Sequence, residues 1–274
     1  MKSEYAEIAA VLTGISEAVI PLTDKEILQG DKAVPEPLFR QLDTLAAQNA
    51  EPATVERLLS SSELTPVRAE ISRLRNLYNL RLEIEQARAL LDAPDPWGTI
   101  QGFTFYPNYL QLAAMEQQGA DLQAGDRIIF LGSGPLPLSL ILLCSRYRLR
   151  GIGIERENNY SELSRRLIQH LGLEDRICII LGDHFSLPKT TENKLLMVAA
   201  MARPKREIFC HLARILPADS LVSFRLYEKG LRRILDQEED VLLPDAFSPH
   251  CRIRPRPPVN NTVVMVRKVR EHSS

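Results

Sequence analysis

The stretch from Arg127 to Glu155 constrains the fold more than any other, because it reads as strand, glycine turn, helix, strand and acidic residue in succession. Arg127 to Leu131 is a short apolar run between Ala-Gly-Asp and Gly-Ser-Gly, the pattern of a parallel strand buried on both faces. Gly132 and Gly134 open backbone angles closed to other residues and let a ligand approach the main chain. Leu136 to Arg146 is apolar enough for a helix packed on a sheet, and the next strand, Gly151 to Ile154, ends in Glu155. A carboxylate about 20 residues beyond such glycines is placed to accept hydrogen bonds from ribose hydroxyls. The third glycine of the dinucleotide fingerprint is missing, and Pro135 with Pro137 stiffens the turn, which reduces the room for a pyrophosphate. A nucleoside without phosphates fits better, with S-adenosylmethionine (SAM) the first candidate; the alternative is an ordinary strand-to-helix turn.

Composition narrows the partners. The 274 residues carry 34 basic and 35 acidic side chains, so no net field favours nucleic acid or an anionic membrane, and a small molecule is the expected partner. Cys144, Cys178, Cys210 and Cys251 are scattered without a Cys-x-x-Cys pair and read as buried thiols of a reducing cytoplasm. Neither a signal-peptide core nor a membrane-length apolar run is found, so the protein is expected in the cytoplasm. The five histidines have no ligand spacing, and no bound metal is expected.

Two regions follow from periodicity: an all-helical domain over residues 1–100, then a Rossmann-like domain over 101–274. Within the first, Thr65 to about Leu91 predicts the longest helix, with Pro66 at its first position and Asp-Ala-Pro-Asp-Pro ending it. At about 100° per residue Val67, Ile71, Leu74, Tyr78 and Leu82 form one apolar stripe, and Glu83 falls at its margin as a solvated edge carboxylate. Phe103-Thr-Phe-Tyr-Pro-Asn-Tyr109 packs four aromatic rings into seven positions, as a staple between domains or as the wall of a ligand cavity. Further on, Asn158–His170 and Pro204–Leu216 predict helices, Arg176–Leu181, Leu195–Ala200 and Ser220–Arg225 predict strands, and a linking helix falls near Lys229–Leu235. His250–Arg254 and Asn261–Val269 alternate as an antiparallel pair, which completes the mostly parallel sheet of a class I SAM-dependent transferase.

Several of these residues together resemble the nicotianamine synthase family. Phe130-Leu-Gly-Ser-Gly-Pro-Leu-Pro-Leu138 is similar to its Gly-Ser-Gly-Pro-Leu-Pro loop, with Phe130 where common methyltransferases carry an acidic residue. The aromatic segment resembles its Phe-x-x-Tyr-x-Asn-Tyr signature, with Glu116 matching a glutamate in the helix that follows and Leu82-Glu83 matching a Leu-Glu pair in the helix before. Val198-Ala-Ala-Met201, Arg225 and Asn261-Thr-Val-Val264 match later positions, so the likeness covers about Leu80 to Lys268.

The resemblance implies a reaction that the motifs alone do not show. An acceptor amine attacks the methylene carbon beside the sulfonium of SAM, takes the 2-aminobutanoate chain and releases methylthioadenosine. Plant and archaeal members repeat the transfer to build nicotianamine. Shorter bacterial members, of the staphylopine or pseudopaline type, make one transfer to histidine, and a separate opine dehydrogenase then completes an opine metallophore; the length of this chain favours that branch. By the same resemblance Glu83 is the base or holds the amine, with Tyr109 and Tyr106 as polar partners. Gly132, Ser133, Gly134, Pro135, Leu136 and Pro137 enclose the methionine part of the co-substrate, Glu155 takes the ribose and Asp183 the adenine amino group, with Arg156 and Ala199 on the same cofactor side. Glu116 binds an ammonium, Arg225 a carboxylate, and Asn108 stands with them as a substrate residue. A homodimer is a further expectation.

Overall fold

The computed structural model describes residues 3–188, 193–235, 243–256 and 259–270. Five helices open the chain: α1 (Glu4–Val19), α2 (Asp24–Gln29), α3 (Pro35–Ala46), α4 (Pro52–Ser60) and α5 (Thr65–Asp92). Their starts are written locally. Ser3 accepts the Ala6 N–H, Thr23 and Glu26 form a reciprocal capping box, and prolines stand in the first turns of α3 and α4. By compactness the chain divides into two units, Met1–Leu82 with Tyr227–Asp240, and Glu83–Leu226 with Val241–Ser274. The first division falls inside α5, between Leu82 and Glu83.

In the helical unit Leu12, Ile15, Val19, Ile27, Leu42, Leu58, Ile71, Leu74 and Tyr78 build the core, joined by Leu231 and Ile234 from the 3-10 segment Gly230–Leu235. Arg73 and Arg81 supply donors to helix ends: Arg73 to the carbonyls of Val19 and Leu22, Arg81 to those of Ile27 and Gly30.

The second unit begins with the end of α5, then α6 (Pro96–Gln101) and α7 (Tyr106–Gly119). Its sheet is made of β1 (Arg127–Leu131), β2 (Arg150–Glu155), β3 (Ile177–Leu181), β4 (Asn193–Val198), β5 (Leu221–Leu226), β6 (Phe247–Ile253) and β7 (Thr262–Lys268), in the order β3-β2-β1-β4-β5-β7-β6. The first five strands are parallel, while β7 runs antiparallel to both β5 and β6. Helices α8 (Leu138–Tyr147), α9 (Asn158–His170) and α10 (Lys205–Ile215) cover it. Strand side chains alternate between two cores. Ile128, Phe130, Leu195, Met197, Val263 and Met265 meet α7, α8 and α9, whereas Ile129, Leu131, Leu196, Val198, Val264 and Val266 meet α10. Both faces being covered explains why the strands read as unbroken apolar runs.

The departures from the sequence reading have local causes. Pro135-Leu-Pro137 turns back on itself through Leu138 N–H to Leu136 C=O (2.7 Å), so α8 starts at Leu138. β4 ends at Val198 because a turn begins at Ala199, whose carbonyl accepts the Ala202 N–H at 3.1 Å. Asp95 does more than end a helix: with Pro96 it caps the start of α6, which periodicity alone does not reveal. Of the four thiols only Cys144 is fully buried, its pKa pushed up to about 12 by that burial. Cys178 and Cys210 are exposed, the former because β3 is an edge strand, which corrects the reading of buried thiols. No helix among the described residues is long and apolar enough to cross a membrane.

Candidate active site

At the carboxyl end of β1 the chain turns on two glycines in the left-handed region, Gly132 at φ +78° and Gly134 at φ +72°. The N–H groups of Gly132 and Ser133 both donate to the carbonyl of Ile154, at 2.8 and 3.1 Å, which ties the turn to the end of β2. Glu155, the next residue, is buried; its Oε2 accepts the Gly134 N–H and its Oε1 the Glu157 N–H, each at 2.9 Å. A side chain at Gly132 would meet Ala199 at 3.2 Å, and one at Gly134 would meet Glu83 Oε2 at 3.2 Å. Glu83 therefore stands over the glycine turn. Its Oε1 accepts the Tyr109 hydroxyl at 3.1 Å.

Glu83 is half-buried and not a solvated edge. Burial pushes its pKa up to about 7; the Tyr109 hydrogen bond opposes that, and the charge of Glu155 adds to it. A carboxyl at that value exchanges its proton near neutrality, as a general base must.

The profile of the nicotianamine synthase protein family matches residues 3–273. The chain belongs to the nicotianamine synthase family. An L-histidine 2-aminobutanoyltransferase of Yersinia pestis is 25% identical over 84% of each chain. Nicotianamine synthase 2 of Oryza sativa subsp. indica is 26% identical over 98% of this chain and 85% of its own. Among solved structures, a glutamate-to-glutamine variant of MtNAS in complex with S-adenosylmethionine superposes with a TM-score of 0.82 at 28% identity, covering 98% of this chain and 100% of that one. This member of the nicotianamine synthase family is accordingly an enzyme with the class I SAM-dependent transferase sheet.

The structure of this nicotianamine synthase relative sorts the remaining expected residues into groups. Gly132, Ser133, Gly134, Glu155, Glu83, Tyr109 and Ala199 converge on the turn through the contacts above, and Pro135, Leu136 and Pro137 carry it into α8. Glu116 and Arg225, expected as separate substrate groups, meet each other. Arg225 Nε donates to Glu116 Oε1 at 3.3 Å and its Nη2 to Ser139 Oγ at 3.0 Å, with the two side chains 11% and 1% exposed. Burial raises the Glu116 pKa, and Arg225 works against that rise.

Asp183 sits beyond β3, exposed, with Oδ1 capping the 3-10 turn His184–Ser186 through the Phe185 N–H at 2.9 Å. Arg156 is exposed and leans to Glu157 at 3.5 Å. Tyr106 and Asn108 lie in the first turn of α7, half-buried. Sequence reasoning missed Ser139 and Ser223 beside the Arg225–Glu116 pair. Ser223 could have been found from spacing, since it lies two residues before Arg225 and shares its face of β5.

Among the described residues, the buried Ser133 Oγ and Asn108 Oδ1 lack a hydrogen-bond partner. Leaving buried polar groups unsatisfied costs about 1–3 kcal/mol each, so their presence on the glycine turn and on α7 fits a polar ligand. The missing Cβ at Gly134 leaves room in the same place. No group of three His, Cys, Asp or Glu suited to a metal ion occurs among the described residues.

Proposed function

We propose that this protein transfers the 2-aminobutanoate chain of S-adenosylmethionine to the amine of histidine and releases methylthioadenosine, as a step in making an opine metallophore. The observation that carries the reading is Glu83, held by Tyr109 against Gly134 with a pKa near 7. The family match gives the reaction class, the SAM complex of the structural relative supports the donor, and the name of the Yersinia relative supports histidine.

The chemistry needs little from the protein beyond alignment and one proton acceptor. The sulfonium is already a good leaving group, while a free amine is mostly ammonium at pH 7 and does not attack. Glu83 takes the proton from the acceptor nitrogen; that nitrogen bonds to the methylene carbon, and the carbon–sulfur bond breaks with its electron pair staying on sulfur. Tyr109 orients the carboxylate, with Tyr106 beside it in the first turn of α7. The glycine turn from Gly132 to Pro137 holds the methionine part, Glu155 the ribose, and Asp183 the adenine. Arg156 and Ala199 flank that cofactor side, and Asn108 offers its unsatisfied Oδ1 to the acceptor. Glu116 and Arg225, already paired, serve the acceptor site from beneath.

An incubation of the protein with SAM, with and without histidine, tests the reading by chromatography. The expected result is methylthioadenosine formed only with histidine present and in equal amount to a histidine adduct. Methylthioadenosine formed from SAM alone, together with nicotianamine, would assign the multiple-transfer reaction that the rice relative's name describes.

A further inference from the structure

Helix α10 begins on a residue that its own stability does not call for. Lys205 is its first residue and is only 1% exposed, where a cation opposes the positive end of the helix dipole. A hydroxyl or acidic side chain ahead of it would cap the helix; Pro204 stands there instead, with no side-chain cap. Burial adds a second cost, since the ammonium gives up water and the long side chain its freedom. The ammonium reaches outside the helix: Nζ donates to the carbonyl of Ala200, which also accepts from Arg203 Nη1 at 3.3 Å. That carbonyl belongs to the turn leaving β4. The Ala199 N–H is anchored on the Leu131 carbonyl at 3.0 Å, and the Ala202 N–H closes on the Ala199 carbonyl at 3.1 Å. The same two alanines face the glycine turn, because a Cβ at Gly132 would stand 3.2 Å from the Ala199 methyl and 3.4 Å from the Ala202 methyl.

We propose that Lys205 is a positioning residue for the donor: by holding the Ala200 carbonyl it sets the methyls of Ala199 and Ala202 against Gly132, and that placement forms the β4 wall of the SAM seat. The inference rests on the reading that the glycine turn holds SAM. Ala200 lies between the two residues that face Gly132, so a shift of its carbonyl moves both methyls. Alanine has no side-chain freedom with which to recover a contact once its backbone moves. The wall is therefore only as well placed as the carbonyl beneath it. Arg203 reaches the same oxygen from a half-buried position, whereas Lys205 reaches it from the interior and is the firmer of the two holds. A wall fixed before the donor arrives lowers the ordering cost of binding, and the two penalties at the start of α10 are the cost of that preorganisation.

Calorimetric titration of SAM into Lys205→Met and Lys205→Arg, each checked for wild-type circular dichroism, tests this without turnover. Methionine keeps the length of the side chain and cannot donate, while arginine keeps a charged donor. The methionine variant is expected to bind SAM at least about tenfold more weakly, and the arginine variant to stay within about threefold of the wild type. Native-state hydrogen exchange of the wild type needs no variant: the Ala202 amide, closed on Ala199, should exchange at least about fivefold more slowly with SAM bound. SAM affinity within about twofold of wild type in the folded methionine variant, equal weakening in both variants, or an Ala202 amide indifferent to SAM overturns the proposal. Gly134→Ala separates it from the reading beneath. If that variant binds SAM as well as the wild type does, the donor is not held by the glycine turn and the seat falls with its wall. If it binds SAM weakly while Lys205→Met does not, the positioning role alone is lost.

Discussion

Burial at Glu83 has a thermodynamic consequence besides a catalytic one. The folded carboxyl titrates near 7 and an ordinary one at 4.5, so the stability it contributes is full below 4.5 and is lost as pH rises through 7. Glu83→Gln removes that dependence. The variant is expected to melt above the wild type at pH 8, by an amount on the order of 2–3 kcal/mol of stability, and level with it at pH 4. The same substitution should lower the rate at least about a hundredfold while SAM still binds, the usual scale for removing a general base; a loss under about threefold would leave Glu83 no part in the chemistry. Gly134→Ala acts next to it: φ is +72° and the new methyl would stand 3.2 Å from the Glu83 carboxylate. We expect a loss of about 1–3 kcal/mol in stability, measured by denaturant melts, and SAM binding at least about tenfold weaker. Periodicity alone placed Glu83 at a solvated margin because one stripe was fitted to all of α5. The helix contributes Ile71, Leu74 and Tyr78 to one core and Ala87 and Leu90 to another, so no single stripe describes it. Only the family's Leu-Glu pair singled the residue out.

Helix α7 carries Tyr109, bonded to Glu83, and two turns further on Glu116, where Arg225 at the end of β5 ties it to the sheet. Replacing one member of a buried ion pair leaves the other charge uncompensated. Arg225→Met should therefore cost about 3–5 kcal/mol of stability, and adding Glu116→Leu should recover a large part of it. Urea melts of the single and double variants read this directly, and an additive double variant would show that the pair is not coupled. At this scale the parallel strands were legible because two covered faces demand unbroken apolar runs, and β1 was read to the residue. The pairing of Glu116 with Arg225 was not legible, since 109 residues separate them and charge alone suggests a ligand for each. Element ends were set by turn bonds that apolar runs do not show, such as the Ala202 N–H to the Ala199 carbonyl. Helix α6 escaped because its six residues are too few to show a period.

Across the whole molecule, the class I sheet supplies the glycine turn, and a carboxylate bonded to a phenol is set over that turn. The ordinary outcome on such a sheet is attack at the methyl carbon of SAM. The proposed reaction instead aims a nitrogen at the chain carbon, with Glu83 and Tyr109 over Gly134 as the groups that would direct it, and that choice of carbon is the centre of the account. A single turnover with histidine and SAM carrying heavy carbon only in its methyl group decides it by mass spectrometry. The account predicts that all the label leaves in methylthioadenosine and that the histidine product is unlabelled but heavier by one aminobutanoate chain. Label recovered on histidine, with S-adenosylhomocysteine as the by-product, would contradict it.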